Sequence, residues 1–234
     1  MTTTPGESML RVRPIIFTSA FEATLTQFHT LGLSCLENDG DWAQFDSGNG
    51  KIGVFREAPE LNHIELAFEL RDAAIFVRRT LADGTAAELA DTVTGPGAQV
   101  TAPDGFSFEL TASEDLSLPR PAESQPTGSR LTVVQTWCTP HPEEANAVLA
   151  NIGAKPVREL PGGGALFRAK NGGLVATARG EGSGVVLGFM YEGELSTLAA
   201  RLAAAGVSAA VDGDVLEVNT PDGGRLAVAA GQES

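Results

Sequence analysis

The feature that most narrows the fold of this chain is that it repeats itself. Phe28 to Leu33 reads FHTLGL and Leu149 to Ala154 reads LANIGA, while Leu66-Ala67-Phe68 returns as Leu187-Gly188-Phe189. Thr101 to Gly105 (TAPDG) returns as Thr220 to Gly223 (TPDG). The matches keep one order and one offset of about 120 residues, with a small slip at the last. A duplication of this kind divides the 234 residues into two domains of ordinary size. Between them, Ser113 to Arg130 (SEDLSLPRPAESQPTGSR) is rich in Pro, Ser and charge and poor in bulky apolar residues, as an exposed connection is. The expected boundaries are 8–112 for the first domain, 113–129 for the linker and 130–231 for the second.

Each half subdivides again. Leu10 to Thr18 is β-rich, and Phe21, Leu25, Phe28 and Leu31 then recur at helical spacing up to Gly32, a helix stop. Three short strands follow, at Ser34 to Glu37, Trp42 to Asp46 and Lys51 to Arg56, separated by Asp39-Gly40 and Gly48 to Gly50. The same order returns with a strand at Asn62 to Leu70, a helix at Asp72 to Leu81, and strands near Ala86 to Val93, Ala98 to Ala102 and Phe106 to Thr111. In the second half, helices at Pro142 to Ile152 and Glu194 to Ala205 hold the equivalent places. The expected fold class is therefore α+β, four βαβββ units in two tandem domains. The glycine-rich stretches Gly162 to Gly164 and Asn171 to Gly173 have neither a P-loop signature nor a following helix, and are read as hairpin turns.

Composition limits the partners. A formal net charge of −14 with no cluster of Lys or Arg argues against nucleic acid and anionic membranes, which repel such a surface. No apolar run approaches the roughly 20 residues of a membrane span, and Met1 to Met9 lacks the apolar core of a signal peptide, so a cytoplasmic location is expected. Cys35 and Cys138 lie in no CxxC pair and are expected to be reduced and buried.

Paired βαβββ units closing a cup-shaped sheet resemble the vicinal oxygen chelate superfamily of glyoxalases, bleomycin-resistance proteins and dioxygenases. Phe28-His29-Thr30-Leu31-Gly32 is similar to that family's FY-x-x-LG, with His in the Tyr position. Ala102 to Leu110 (APDGFSFEL) keeps the PDG and terminal EL of its DPDGN-x-x-EL segment, and Leu66 to Leu70 (LAFEL) resembles its fifth strand. The resemblance implies a ligand site in the cup, often with a divalent metal held by His or Glu on the first, fifth and last strands.

Strand alternation tests which side chains face such a cup. Ile64, Leu66, Phe68 and Leu70 form an apolar row, which leaves His63, Glu65, Ala67 and Glu69 on the cup side. Phe106, Phe108 and Leu110 likewise leave Ser107, Glu109 and Thr111 there. By the resemblance, Glu109 matches the carboxylate ligand of the last strand, Glu65 the fifth-strand position, and Arg13 falls at or near the first-strand position. A permanently protonated arginine is no metal ligand.

Three readings follow for the first cup. Arg13 pairs with Glu65 or Glu109, and these with His63 and Trp42 bind a small polar molecule without a cofactor. Alternatively His63, Glu65 and Glu109 hold a divalent metal in a lyase, isomerase or dioxygenase, with Glu109 catalytic. In the third, the carboxylates form partly solvated ion pairs and the cup is vestigial, leaving a non-catalytic scaffold, or else a drug-sequestering protein that uses apolar cup walls. The second cup, with Val186, Gly188, Met190 and Ala227 at its positions, is expected to hold no metal, and either takes an apolar ligand or is filled by its own side chains. Trp137 is read as a core or cup-wall aromatic, His141 as a turn residue, and the assembly as a monomer or homodimer.

Overall fold

Strand, helix and three further strands recur four times in the computed structural model, which describes residues 9–116 and 129–231. The first unit opens on β1 (Arg11–Val12) and β2 (Ile15–Thr18), one expected strand broken at Pro14, which has no N–H to donate to a ladder. Helix α1 (Phe21–Leu31) buries Phe21, Leu25, Phe28 and Leu31 and stops at Gly32, whose φ of 94° only glycine adopts without strain. Strands β3 (Ser34–Asn38), β4 (Trp42–Asp46), β5 (Gly48–Asn49) and β6 (Lys51–Arg56) complete the unit.

The second unit runs β7 (His63–Glu65), β8 (Ala67–Leu70), α2 (Ala73–Ala82), β9 (Ala86–Thr92), β10 (Gly95–Thr101) and β11 (Ser107–Ala112). Asp72 starts α2 by accepting the Ile75 N–H, an N-cap that places the expected helix start one residue early. The third unit is β12 (Leu131–Thr139), α3 (Pro142–Asn151), β13 (Lys155–Glu159), β14 (Ala165–Arg168) and β15 (Leu174–Arg179). The fourth is β16 (Gly184–Tyr191), α4 (Leu195–Ala204), β17 (Ala209–Asp212), β18 (Val215–Asn219) and β19 (Arg225–Ala230). No described helix is long and apolar enough to cross a membrane.

The two halves share one topology. The second forms a continuous sheet in the order β13-β14-β15-β12-β16-β19-β18-β17. The first has the same order split into two leaves, β3-β4-β6-β2-β7 and β1-β8-β11-β10-β9. The split follows from the two interruptions, at Pro14 and at Leu66, in strands whose counterparts β12 and β16 are unbroken.

The halves are interlocked. Strand β5 adds to the second half by pairing with β12, Gly48 beside Leu131 and Asn49 beside Thr132. The Val12 N–H donates to Gly172 O and the Asn171 N–H to Leu10 O, both at 2.9 Å. The Asn171 to Gly173 stretch is thus more than a hairpin turn, because its backbone completes the edge of β1. The buried Gln135 amide accepts from the Ala67 N–H at 3.2 Å and donates to Ala67 O at 3.0 Å. Trp137, 1% exposed, stacks on Phe106 at 4.9 Å between ring centres, which makes it a core residue between the halves. Neither cysteine is fully buried, contrary to expectation, and both are free thiols.

Most of the expected linker lies outside the described residues. Its first four positions are ordered against the first half. The Ser113 N–H bonds Leu70 O at 2.8 Å, a short 3-10 turn spans Glu114–Leu116, and Leu116 is buried.

Candidate functional site

Arg13 sits at the junction of the two leaves of the first half, where the backbone of β1 meets β8. It is 5% exposed. One guanidinium nitrogen donates to Thr94 Oγ1 at 2.5 Å and Thr111 Oγ1 at 2.8 Å, and another approaches Gln44 Oε1 at 3.4 Å. Its carboxylate partner is Glu69, at 3.6 Å. This corrects the expected pairing with Glu65 or Glu109. Strand β1 runs antiparallel to β8 with Arg11 opposite Glu69, which gathers Arg11, Arg13 and Glu69 on one face. Glu65 lies beyond the Leu66 interruption, opposite Ile15 on β2.

Glu69 is 3% exposed and surrounded by cations. Arg11 Nε donates to it at 2.5 Å, a second Arg11 nitrogen lies against the same oxygen, and Lys51 Nζ is 3.7 Å away. Lys51 also contacts Asp115 at 2.6 Å, and Arg11 reaches Asp115 at 3.3 Å. Burial pulls the Arg13 guanidinium below the ordinary arginine value, the Glu69 charge opposes that, and Arg11 adds to the lowering. The Arg13 Nε is buried without a hydrogen-bond partner.

Above this cluster the β3–β4–β6–β2–β7 leaf carries a row of rings. His63 stacks on Phe17 at 4.4 Å, Phe17 on Phe55 at 5.4 Å, and Phe55 meets Trp42 at 4.5 Å. The Arg13 guanidinium carbon lies 6.0 Å from the Trp42 ring centre, within the range of cation–π attraction. Trp42, Phe55, Arg13, Gln44, Lys51, Glu69, Thr94 and Thr111 border a cleft of about 490 Å³ that opens to solvent past Glu37, Glu114 and Asp115. That volume suits a small organic molecule.

The remaining expected residues occupy a second cleft, also about 490 Å³, where β7 and β11 diverge and Ser183 to Val185 of the second half close one side. His63 Nδ1 faces Leu61 O at 2.7 Å and Nε2 faces Glu65 at 3.2 Å. Glu109 accepts the Val93 N–H at 3.2 Å. Desolvation pushes the Glu109 carboxyl up, the Val93 bond opposes that, and the Glu65 charge adds to the rise. Site residues therefore divide between two places: Arg13 and Trp42 line the first cleft, His63, Glu65 and Glu109 the second. Glu69, Lys51, Arg11 and Thr111 were not assigned roles from the sequence, although alternation put Glu69 and Thr111 on the cup face.

The raised Glu109 carboxyl gives a stability prediction. A carboxyl whose folded pKa is raised favours folding below its unfolded pKa, and that advantage is lost as pH rises through the folded value. Glu109→Gln should therefore stabilise the protein at pH 7, by less than about 1 kcal/mol for so solvated a group, and the gain should vanish below about pH 4. Thermal melts of both proteins from pH 3 to 8 check the sign; a Glu109→Gln protein less stable than the natural chain at pH 7 would refute the argument.

The face of the second cup is partly exposed. Val186 is 47% exposed, and Val134, Thr136, Gly188 and Met190 are half-buried.

Homoprotocatechuate 2,3-dioxygenase from B. fuscum, a single-residue variant in complex with HPCA, superposes with a TM-score of 0.71 at 14% identity, covering 97% of this chain and 72% of that one. The same enzyme with 3,4-dihydroxyphenylacetate gives 0.69 at 14% identity, over 97% and 82%. The enzyme from Arthrobacter globiformis gives 0.66 at 17% identity, over 96% and 80%. No protein-family model matches the chain, and no curated protein matches it by sequence. The chain has the vicinal oxygen chelate fold.

The likeness corrects the expectation of a cup without a cofactor. Those dioxygenases are iron(II)-dependent, so the expected absence of a cofactor has no support from them. The side chains present do not fit such a centre as they stand. Among the described residues no group of three His, Cys, Asp or Glu is placed to hold an ion. His63 and Glu65 bond each other, Glu109 turns to Val93, and the first-strand position holds an arginine engaged by four neighbours.

Proposed function

We propose that the first half of this chain binds a small organic molecule in the cleft beside Arg13. The observation that carries this is the pairing of a buried, fully positioned guanidinium with an aromatic wall in one open cleft. A planar ligand would lie along Trp42 and Phe55, while Arg13, Gln44 and Thr111 read its polar edge through charge-assisted hydrogen bonds. Glu37 supplies an acceptor for a hydroxyl or amine on the same molecule. The fold supports the reading because the dioxygenases it resembles are solved with small organic molecules bound.

The test is a small-molecule screen read by tryptophan fluorescence and confirmed by calorimetry. Arg13→Met should weaken a ligand of this cleft by about 10- to 100-fold, the loss of one or two charge-assisted hydrogen bonds. A ligand bound equally well by the Arg13→Met protein would sink the assignment.

A metal-dependent dioxygenase of the same superfamily is the second reading, favoured by the solved structures that the chain resembles. It places the chemistry in the cleft of His63, Glu65 and Glu109, where the side chains would have to regroup around an ion. Elemental mass spectrometry after reloading with Fe, Mn, Co, Ni or Zn decides it. About one ion per chain, lost in Glu109→Gln, supports this reading, and none after loading overturns it.

A further inference from the structure

Three cations, Arg11, Arg13 and Lys51, meet two carboxylates, Glu69 and Asp115, at the base of the first cleft. The two carboxylates differ in kind. Glu69 is held in the sheet at 3% exposure, whereas the Asp115 side chain is 59% exposed on a three-residue turn. Lys51 is 8% exposed, and its ammonium has Asp115 at 2.6 Å but Glu69 only at 3.7 Å. Taking Asp115 away would leave three cations, two of them buried, facing one carboxylate. A buried ammonium with three donors and a single distant acceptor recruits an anion.

We propose that Lys51 and Arg11, backed by Arg13, form a subsite for a small organic monocarboxylate, and that Asp115 fills it as a tethered stand-in which the ligand displaces. The inference rests on the first cleft being a binding site and names the chemistry of its ligand. Trp42 and Phe55 line the same cleft and would receive the ligand's apolar body. Glu37 and Glu114 at the mouth repel further negative charge, so one carboxylate fits better than phosphate or a dianion. The Asp115 carboxyl is held below the usual range, first by the Lys51 hydrogen bond and then by the charges of Lys51 and Arg11, as an anion matched to this position is. A tethered group competes at an effective concentration in the millimolar range, so a free carboxylate binds the intact chain weakly.

The test titrates benzoate into the full chain, Asp115→Asn, and Asp115→Asn/Lys51→Met by calorimetry, with inorganic phosphate as a second probe. Asp115→Asn should bind benzoate about tenfold more tightly than the natural chain, with phosphate gaining less, and the Lys51→Met change should abolish the gain. Equal benzoate affinity in the natural chain and the Asp115→Asn protein overturns the subsite, and so does a larger gain for phosphate. If the Asp115→Asn protein is unstable, benzoate should raise its melting temperature and leave that of the natural chain nearly unchanged; no such selective rescue also overturns it. A ligand from the screen that needs Arg13 but ignores Asp115→Asn removes this subsite alone. Benzoate binding gained on Asp115→Asn substitution stands even if the screen finds nothing.

Discussion

Glu69→Gln should destabilise the protein by about 3 kcal/mol, because it leaves three clustered cations with one solvent-exposed carboxylate between them. Removing one partner of a buried ion cluster costs more than the cluster contributes, since the remaining charges stay desolvated. Arg11, at 15% exposure, can turn part of its charge to water and lessen the loss. Lys51 and Arg13, at 8% and 5%, cannot do so without moving their strands. For a chain of this length the melting temperature should fall by about 6–12 °C. High salt should restore little, because buried pairs are poorly screened. Calorimetric melts at 50 mM and 500 mM salt, as about the range to compare, test both statements. A fall of less than about 2 °C would mean that water already satisfies these cations.

Gly173→Ala should cost about 2–5 kcal/mol, from two independent causes. Gly173 has a φ of +86°, where an L-residue is strained by about 1–2 kcal/mol. A Cβ there would also stand 2.4 Å from the Val12 Cβ, and overpacking of that kind costs about 1–3 kcal/mol. Val12 is fully buried between Arg11 and Arg13, so it cannot yield without moving both arginines. The substitution should therefore weaken a ligand of the first cleft as well as lower the urea midpoint, although Gly173 belongs to the other half. A Gly173→Ala protein of unchanged midpoint would show that the two halves slide past each other at this contact.

The four-unit architecture could be read from the chain because each unit carries its own punctuation. The PDG turns, the Gly32 stop and the alternation through LAFEL are local signals, and the structure honours them. Alternation also placed Glu69 and Thr111 correctly. What it could not supply was register. Whether Arg13 meets Glu65 or Glu69 depends on the break at Pro14 and the matching interruption at Leu66, which together pair Arg11 with Glu69. Lys51 lies in no motif that marks it in the sequence, yet its place at the start of β6 puts the third cation beside Glu69. Asp115 lay in a stretch whose composition reads as exposed linker. Its role depends on a turn that the following residues do not announce.

The interlock of the halves bears on how the chain can be made. The backbone groups of Leu10 and Val12 find partners in Asn171 and Gly172, about 160 residues downstream. At a synthesis rate of about 5–20 residues per second, the first strand waits roughly 8–30 s on the ribosome for its edge to be completed. For roughly 1.5–6 s of that time Phe106 and Phe108 also lack the cover of Trp137, so a greasy face and an open strand edge are briefly presented together. Translation speed, and holdase chaperones waiting at the exit tunnel, thereby become determinants of the yield of this protein. Slow codons between the two halves would lengthen the exposure rather than help the first half to mature alone.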